Sequence, residues 1–223
     1  MDLSHCYMEQ TAPYVLAGLF TSPHLAEIRW VTSLRLDGNY FANAGLSYLL
    51  SVMSTANEVK PIFPSLEQLY LNNMNLDATS VSGILFFLFP VDPVASKRFH
   101  SHKPPVSNEF VPQGKEGPQG ELFPSLSILS LNDNPGLGQD GFEAVLTHLL
   151  SSHYKVHNLG SLDLSRCGIP AHCTKQLKQF LKDLKHTIDA GVYPIVPQRL
   201  VLLGNTLDTV KEKPPVSQVE IVM

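Results

Sequence analysis

The sequence predicts an α/β solenoid, with short parallel strands inside, helices outside, and about five irregular repeats bent into a horseshoe. Three observations carry this. The phrase FPSLEQLYLNN at 63–73 returns as FPSLSILSLND at 123–133. Five stretches share one template: an apolar residue, Leu-x-Leu at the fourth and sixth places, Asn or a substitute at the ninth, and an apolar residue at the eleventh. After the strands come apolar residues at helical spacing, so the unit is strand, turn, helix.

Residues 1–30 precede the first template and are expected to form a helical N-terminal cap, with Trp30 beside the first repeat, because a solenoid must cover its first apolar edge. The first repeat runs Val31, Leu34, Leu36, Asn39, Phe41, followed by NAGLSYLLSVM with Gly45, Leu46, Leu49, Leu50 and Met53 at helical spacing. The second runs Leu66, Leu69, Leu71, Met74, Leu76, followed by ATSVSGILFFL. The stretch 90–121 holds six prolines and three glycines with few aliphatics, so it cannot build a core and is predicted to be a disordered insertion. The third repeat runs Leu126, Leu129, Leu131, Asn134 and, one place late, Leu137; GQDGFEAVLTHLL follows with Phe142, Val145, Leu146, Leu149 and Leu150. The fourth runs Leu159, Leu162, Leu164, Cys167, Ile169, and its helix AHCTKQLKQFLKDLKHTI turns Leu177, Phe180, Leu181, Leu184 and Ile188 inward and its lysines outward. The fifth, Pro197, Leu200, Leu202, Asn205, Leu207, is the weakest. Repeats 1–2 thus occupy 31–89, repeats 3–5 occupy 122–209, and 210–223 reads as a flexible tail that frays rather than pairs.

The spacing has a physical reason. Leu-x-Leu alternates with period two, so both leucines point to one side of a short strand. Five residues past the first leucine the chain bends away with its backbone polar groups buried, and a small side chain that bonds to main chain is needed there. Asn39, Asn134 and Asn205 fill that need, Cys167 is a compact weak substitute, and Met74 cannot bond in that way.

Net charge is −4 with pI near 6.1 and the lysines and arginines are not expected to form a stripe, which argues against a nucleic-acid partner. Cys6, Cys167 and Cys173 are too few for a disulfide framework. The N-terminus lacks a basic n-region, and the longest aliphatic-aromatic run, 84–89, is too short to span a membrane. A reduced, intracellular protein is expected, cytoplasmic with nuclear, cytoskeletal or ciliary association left open, monomeric or part of a larger complex.

The segments LGSLDLSRCGI and VTSLRLDGNYF carry the pattern LxxLxLxxN/CxL, and over 28–208 the chain resembles leucine-rich repeat proteins of the ribonuclease-inhibitor-like class. Repeat starts at 31, 66, 126, 159 and 197 give intervals of 35, 60, 33 and 38, longer than the ~20–29 residues usual for such repeats. The resemblance implies a non-catalytic interaction module or scaffold that binds a protein through the concave face. It also extends to the activators of GTP hydrolysis by Ran, but the tail VKEKPPVSQVEIVM lacks the acidic run of that family, so a GTPase-activating regulator is the alternative.

On the concave face the variable residues around Leu-x-Leu become the candidate site: Arg35, Asp37, Glu67, Tyr70, Asn72, Ser130, Asn132, Asp163, Arg166 and Arg199. Strands stack about 4.8 Å apart, so Arg35, Tyr70, Ser130, Asp163 and Val201 should form one row, a mixture of cation, aromatic, acid and hydroxyl suited to a protein partner. Neither His153 with His157, His100 with His102, nor Cys167, His172 and Cys173 has the second half of a zinc motif, and no metal or cofactor is expected. Nucleophile-elbow, zincin and phosphate-loop motifs are absent from the sequence. Gly136 and Gly138 in NPGLGQDG read as tight-turn residues, and Asp37 and Asp163 stand two strands apart, too far for paired acid chemistry. No catalytic residue is assigned.

Overall fold

The computed structural model describes residues 1–24, 26–92, 122–151, 153, 157, 159–190, 194–208 and 219–223. Most of the predicted insertion and tail therefore lie outside the described residues. Six three-residue strands form one parallel sheet in sequence order: β1 Ser33–Arg35, β2 Gln68–Tyr70, β3 Ile128–Ser130, β4 Ser161–Asp163, β5 Arg199–Val201 and β6 Glu220–Val222. Among the described residues the α-helices are α1 Ala12–Phe20, α2 Ala42–Asn57, α3 Ala78–Leu88, α4 Gly138–Leu150 and α5 Thr174–Asp189, packed in succession α1 on α2, α2 on α3, α3 on α4 and α4 on α5. Helices need about 10 Å each and strands about 4.8 Å, so the sheet takes the inner, concave side.

The register aligns the first leucine of every template, Leu34, Leu69, Leu129, Leu162 and Leu200, and continues to Ile221. These five leucines and the second row, Leu36, Leu71, Leu131, Leu164 and Leu202, are buried against the helices. The repeated phrase also supplies Phe63 and Phe123, whose rings meet edge-to-face at 6.0 Å, with Phe20 against Phe63 at 5.1 Å. Leu46, Leu49, Leu50 and Met53 of α2, and Phe142, Val145, Leu146 and Leu149 of α4, close the core as predicted. On α3, Asp77 and Ser80 form a capping box, and Asn43 bonds to both side chains.

The asparagines act across repeats. Asn134 accepts from the N–H groups of Met74 and Leu76 at 2.9 and 3.0 Å and donates to the carbonyls of Leu71 and Leu131 at 3.0 and 2.8 Å. Asn205 does the same for Cys167, Ile169, Leu164 and Leu202. Asn39 accepts from Met8 N–H and donates to Leu3 and Leu36 carbonyls. The turn containing Met74, which cannot bond for itself, is served by the repeat that follows it. The Cys167 thiol, pushed up to about 11 by burial, keeps its proton and points it at the Leu131 carbonyl, 3.2 Å away.

Several expectations are corrected. The first residues are a degenerate repeat rather than part of a purely helical cap: Asp2 bridges Arg35 in parallel, and Leu3 and His5 N–H donate to the carbonyls of Arg35 and Asp37. Met1, Leu3, Cys6 and Met8 occupy the places of Leu34, Leu36, Asn39 and Phe41, and α1 follows as this unit's helix. Trp30 covers no edge; it is 69% exposed beneath Arg29. The tail is not frayed throughout, since Glu220–Val222 pairs as β6. The base of the insertion is fixed too, with Pro90 buried and Val91 bridged to His153. Ile188 is exposed. Of the two turn glycines only Gly138 has positive φ; Gly136 has its α-carbon facing the Leu76 carbonyl, which a Cβ would approach to 3.1 Å. The basic residues do form a stripe, along α5.

Replacing Asn134 by Ala strands two buried N–H groups and two carbonyls, and should cost about 3 kcal/mol in urea unfolding. A loss below ~1 kcal/mol would show that the turns do not depend on this side chain.

Candidate functional site: the concave face and its rim

Strand pairing puts Arg35, Tyr70, Ser130, Asp163, Val201 and Val222 in one row, as the repeat spacing predicts. The residues two places further on, Asp37, Asn72, Asn132 and Ser165, form a second row at the strand exits. A hydrogen-bonded chain links the two. Asp37 accepts from Asn72 N–H (2.9 Å), and Asn72 Oδ1 accepts from Asn132 N–H (2.9 Å) and Ser130 Oγ (2.8 Å). Asn132 Nδ2 donates to Asp163 (3.3 Å), which accepts from Ser165 N–H and Oγ. Each polar side chain thus satisfies the main chain or side chain of its neighbour where the ladder ends.

This accounting divides the ten candidate residues. Asp37 and Ser130 are buried, at 7% and 4% exposure, so the expectation that they present a binding surface is corrected. Asn72, Asn132 and Asp163 are half-buried and already bonded. The guanidinium of Arg35 lies 4.2 Å from the centre of the Tyr70 ring and 3.8 Å from Asp37, a cation held over an aromatic face yet still open to solvent. Glu67, Arg166 and Arg199 are exposed, and Arg199 stands 3.6 Å from Glu220.

A second feature, not predicted, runs along the rim. The residue just before each turn position has left-handed backbone: His5, Gly38, Asn73, Asp133, Arg166 and Gly204, with φ from 51° to 70°. Asn and Asp tolerate this conformation, His and Arg much less. Glycine stands where a neighbour's long side chain crosses: a Cβ on Gly38 would fall 2.1 Å from the His5 ring, and one on Gly204 2.7 Å from Arg166 Cγ. An open cleft of about 590 Å³ lies there, lined by His5, Asp37, Asn72, Asn73, Asp133, Pro135 and Arg166. Arg166 donates Nε and Nη2 to the two oxygens of Asp133 at 2.5 and 2.7 Å, which holds that carboxyl below its ordinary range. The signal in sequence was the place before the Asn/Cys position, which is Gly in two repeats and a long or polar residue elsewhere.

The histidines assemble away from this face. The His148 and His153 rings meet tilted at 5.2 Å, and the His157 ring meets His153 edge-to-face at 5.3 Å and Phe89 edge-to-face at 5.1 Å. His148 Nε2 bonds the Phe89 carbonyl at 2.9 Å, and His153 bonds the carbonyls of Pro90 and His148. They clamp the chain where the insertion leaves α3. Burial pushes His148 down to about 3 and His153 to about 4. Among the described residues no group of three His, Cys, Asp or Glu is placed to hold a metal. His100 and His102 lie outside the described residues. His172 is exposed and bonds Gln139, while Cys167 and Cys173 are buried thiols.

A family model described as a leucine-rich repeat domain matches residues 1–216, and the chain belongs to this family. The match includes the N-terminal segment that the geometry identifies as a degenerate repeat. A search of curated proteins finds no match. Leucine-rich repeat domains generally bind protein partners and are typically non-catalytic. No helix among the described residues is long and apolar enough to cross a membrane.

Because His148 and His153 titrate lower in the folded chain than their ordinary 6.5, the unfolded chain takes up protons first as pH falls. Stability should therefore be full above 6.5 and decline as pH drops toward the folded values of about 4 and 3. Melting temperatures measured across that window should fall less steeply for His153→Gln; an unchanged slope would remove His153 from the clamp.

Proposed function

We propose that the chain is a non-catalytic interaction module or scaffold, acting in the cytoplasm, that holds a protein partner against its concave face. The observation that carries the reading is the Arg35–Tyr70 pair. A guanidinium at 4.2 Å from an aromatic ring, open to solvent on a surface that none of the described helices covers, is the type of rigid amphipathic anchor that dominates protein interfaces. Around it Glu67 and Gln68 on one side offer polar contacts, while on the other Asn72, Asn132 and Asp163, engaged in their own hydrogen bonds, fix the shape of the surface. At the far side Arg166 and Arg199 supply charges at the rim. Such a surface is preorganised, so a partner need not order it on binding. Exposed charges of both signs predict a modest loss of affinity with salt.

The test is affinity capture from cell extract with the intact chain and with Arg35→Ala/Tyr70→Ala, followed by quantification of whichever protein the intact chain retains. The double variant should keep the circular dichroism and melting temperature of the parent within a few degrees and lose the partner, a reduction of roughly tenfold or more. Equal capture by a folded double variant would reject the concave face as the binding surface. A version lacking 92–119 separates the contribution of the insertion.

A further inference from the structure

Helix α5 is the last of the described helices, and its lysines are not scattered around it. Lys175, Lys178, Lys182 and Lys185 recur at intervals of three, four and three residues, which places them along one side. At 100° per residue this row centres about 110° from the buried line of Leu177, Leu181 and Leu184, and roughly 140° from Gln176. Gln176 bonds Glu143 of α4, and His172, in the turn that starts the helix, bonds Gln139. The lysines therefore occupy the flank turned away from α4. Lys175, Lys182 and Lys185 are exposed and Lys178 is half-buried. Among the described residues none of the four is ion-paired with a carboxylate. Asp183 points elsewhere and takes its hydrogen bond from Gln179, and Asp189 follows the row one turn beyond Lys185.

We propose that this flank is a second docking surface, separate from the concave face, for an extended acidic segment of a partner polypeptide. Four of the chain's sixteen basic residues stand within a single helix while the whole chain carries −4. A narrow chain laid along the row senses the local cations; a broad anionic surface senses the net negative charge as well, which counts against a membrane or a duplex nucleic acid. Nor does α5 present an apolar face to insert into lipid, since Leu177, Phe180, Leu181 and Leu184 are in the core and Ile188 alone of its large apolar residues is exposed. The row is about 15 Å long, which matches about five residues of extended chain. Lysines supply point charges without the planar fork that grips a single carboxylate or phosphate in pairs, so the row suits anionic side chains spaced along a chain.

The probe is a fluorescein-labelled octaglutamate peptide, followed by polarisation against the full chain at about 0.05 M and about 0.15 M salt. The parent should bind, and more weakly at the higher salt. Charge reversal at all four lysines (K175E, K178E, K182E, K185E) should weaken binding roughly tenfold or more, whereas arginine at all four should retain it. Charge neutralisation to glutamine at Lys175 and Lys182 alone gives an intermediate loss and guards against misfolding of the reversed protein. Arg35→Ala/Tyr70→Ala should bind octaglutamate like the parent, which separates this surface from the concave one. The proposal fails if the parent does not bind the peptide or if the reversed chain binds equally. It also fails if phosphatidylserine vesicles or duplex DNA are bound more tightly than the peptide through the same lysines.

Discussion

A parallel strand of three residues cannot satisfy its own backbone, and the turn that follows it buries amides with no water to meet them. The architecture depends on resolving that deficit from the neighbouring repeat. Asn134 reaches back to bond the main chain at 71, 74 and 76 while closing its own turn at Leu131. A buried amide group left without its partner costs about 1–3 kcal/mol, so no repeat is stable apart from the next one. Stacking here is therefore enforced by hydrogen-bond accounting as well as by the leucine rows, and the two act in the same direction.

That accounting explains a pattern that looks like decay when read linearly. The six turn positions are Cys6, Asn39, Met74, Asn134, Cys167 and Asn205. Asparagine stands at every second one, and each Asn serves the turn before it, which holds Cys6, Met74 or Cys167. In return Cys167 covers the Leu131 carbonyl of an Asn-bearing turn with its protonated thiol. One bridging amide per pair of repeats is enough to fix the stack, and the alternate positions are free to hold packing residues. The left-handed residues at 5, 38, 73, 133, 166 and 204 follow from the same turn, and their side chains make the rim.

The core and sheet order were legible because period-two leucines and period-3.6 apolar residues have few other readings. The terminal repeats were not, since Met1 stands in the first leucine's place and β6 contributes only Ile221 to the inner row. A template trained on Leu-x-Leu passes over both. Arg35, Tyr70, Asp163 and their neighbours were placed in the right row, but their availability could not be read from spacing. Asp37 and Ser130 are consumed by the backbone and by Asn72, a fate set by hydrogen bonds between residues 35 and 58 positions apart. The histidine clamp needs Phe89 beside His148 and His153, roughly sixty residues away in sequence, and so had no local signature.

The same logic decides which concave residues can recognise anything. A side chain that closes the main-chain ladder is held rigid but has spent its hydrogen-bonding capacity, so Asp37, Asn72 and Asn132 shape the surface more than they contact a partner. If the concave face holds a partner, recognition falls to groups with capacity left over: the open faces of Arg35 and Tyr70, the exposed Glu67 and Arg199, and the donors of Arg166 beyond the two engaged by Asp133. These lie at the margins of a polar lattice that cannot rearrange without exposing unpaired amides. The fold is thus stiff where it is buried and chemically open at its edges, so changes at those edges leave the stacking of the repeats undisturbed.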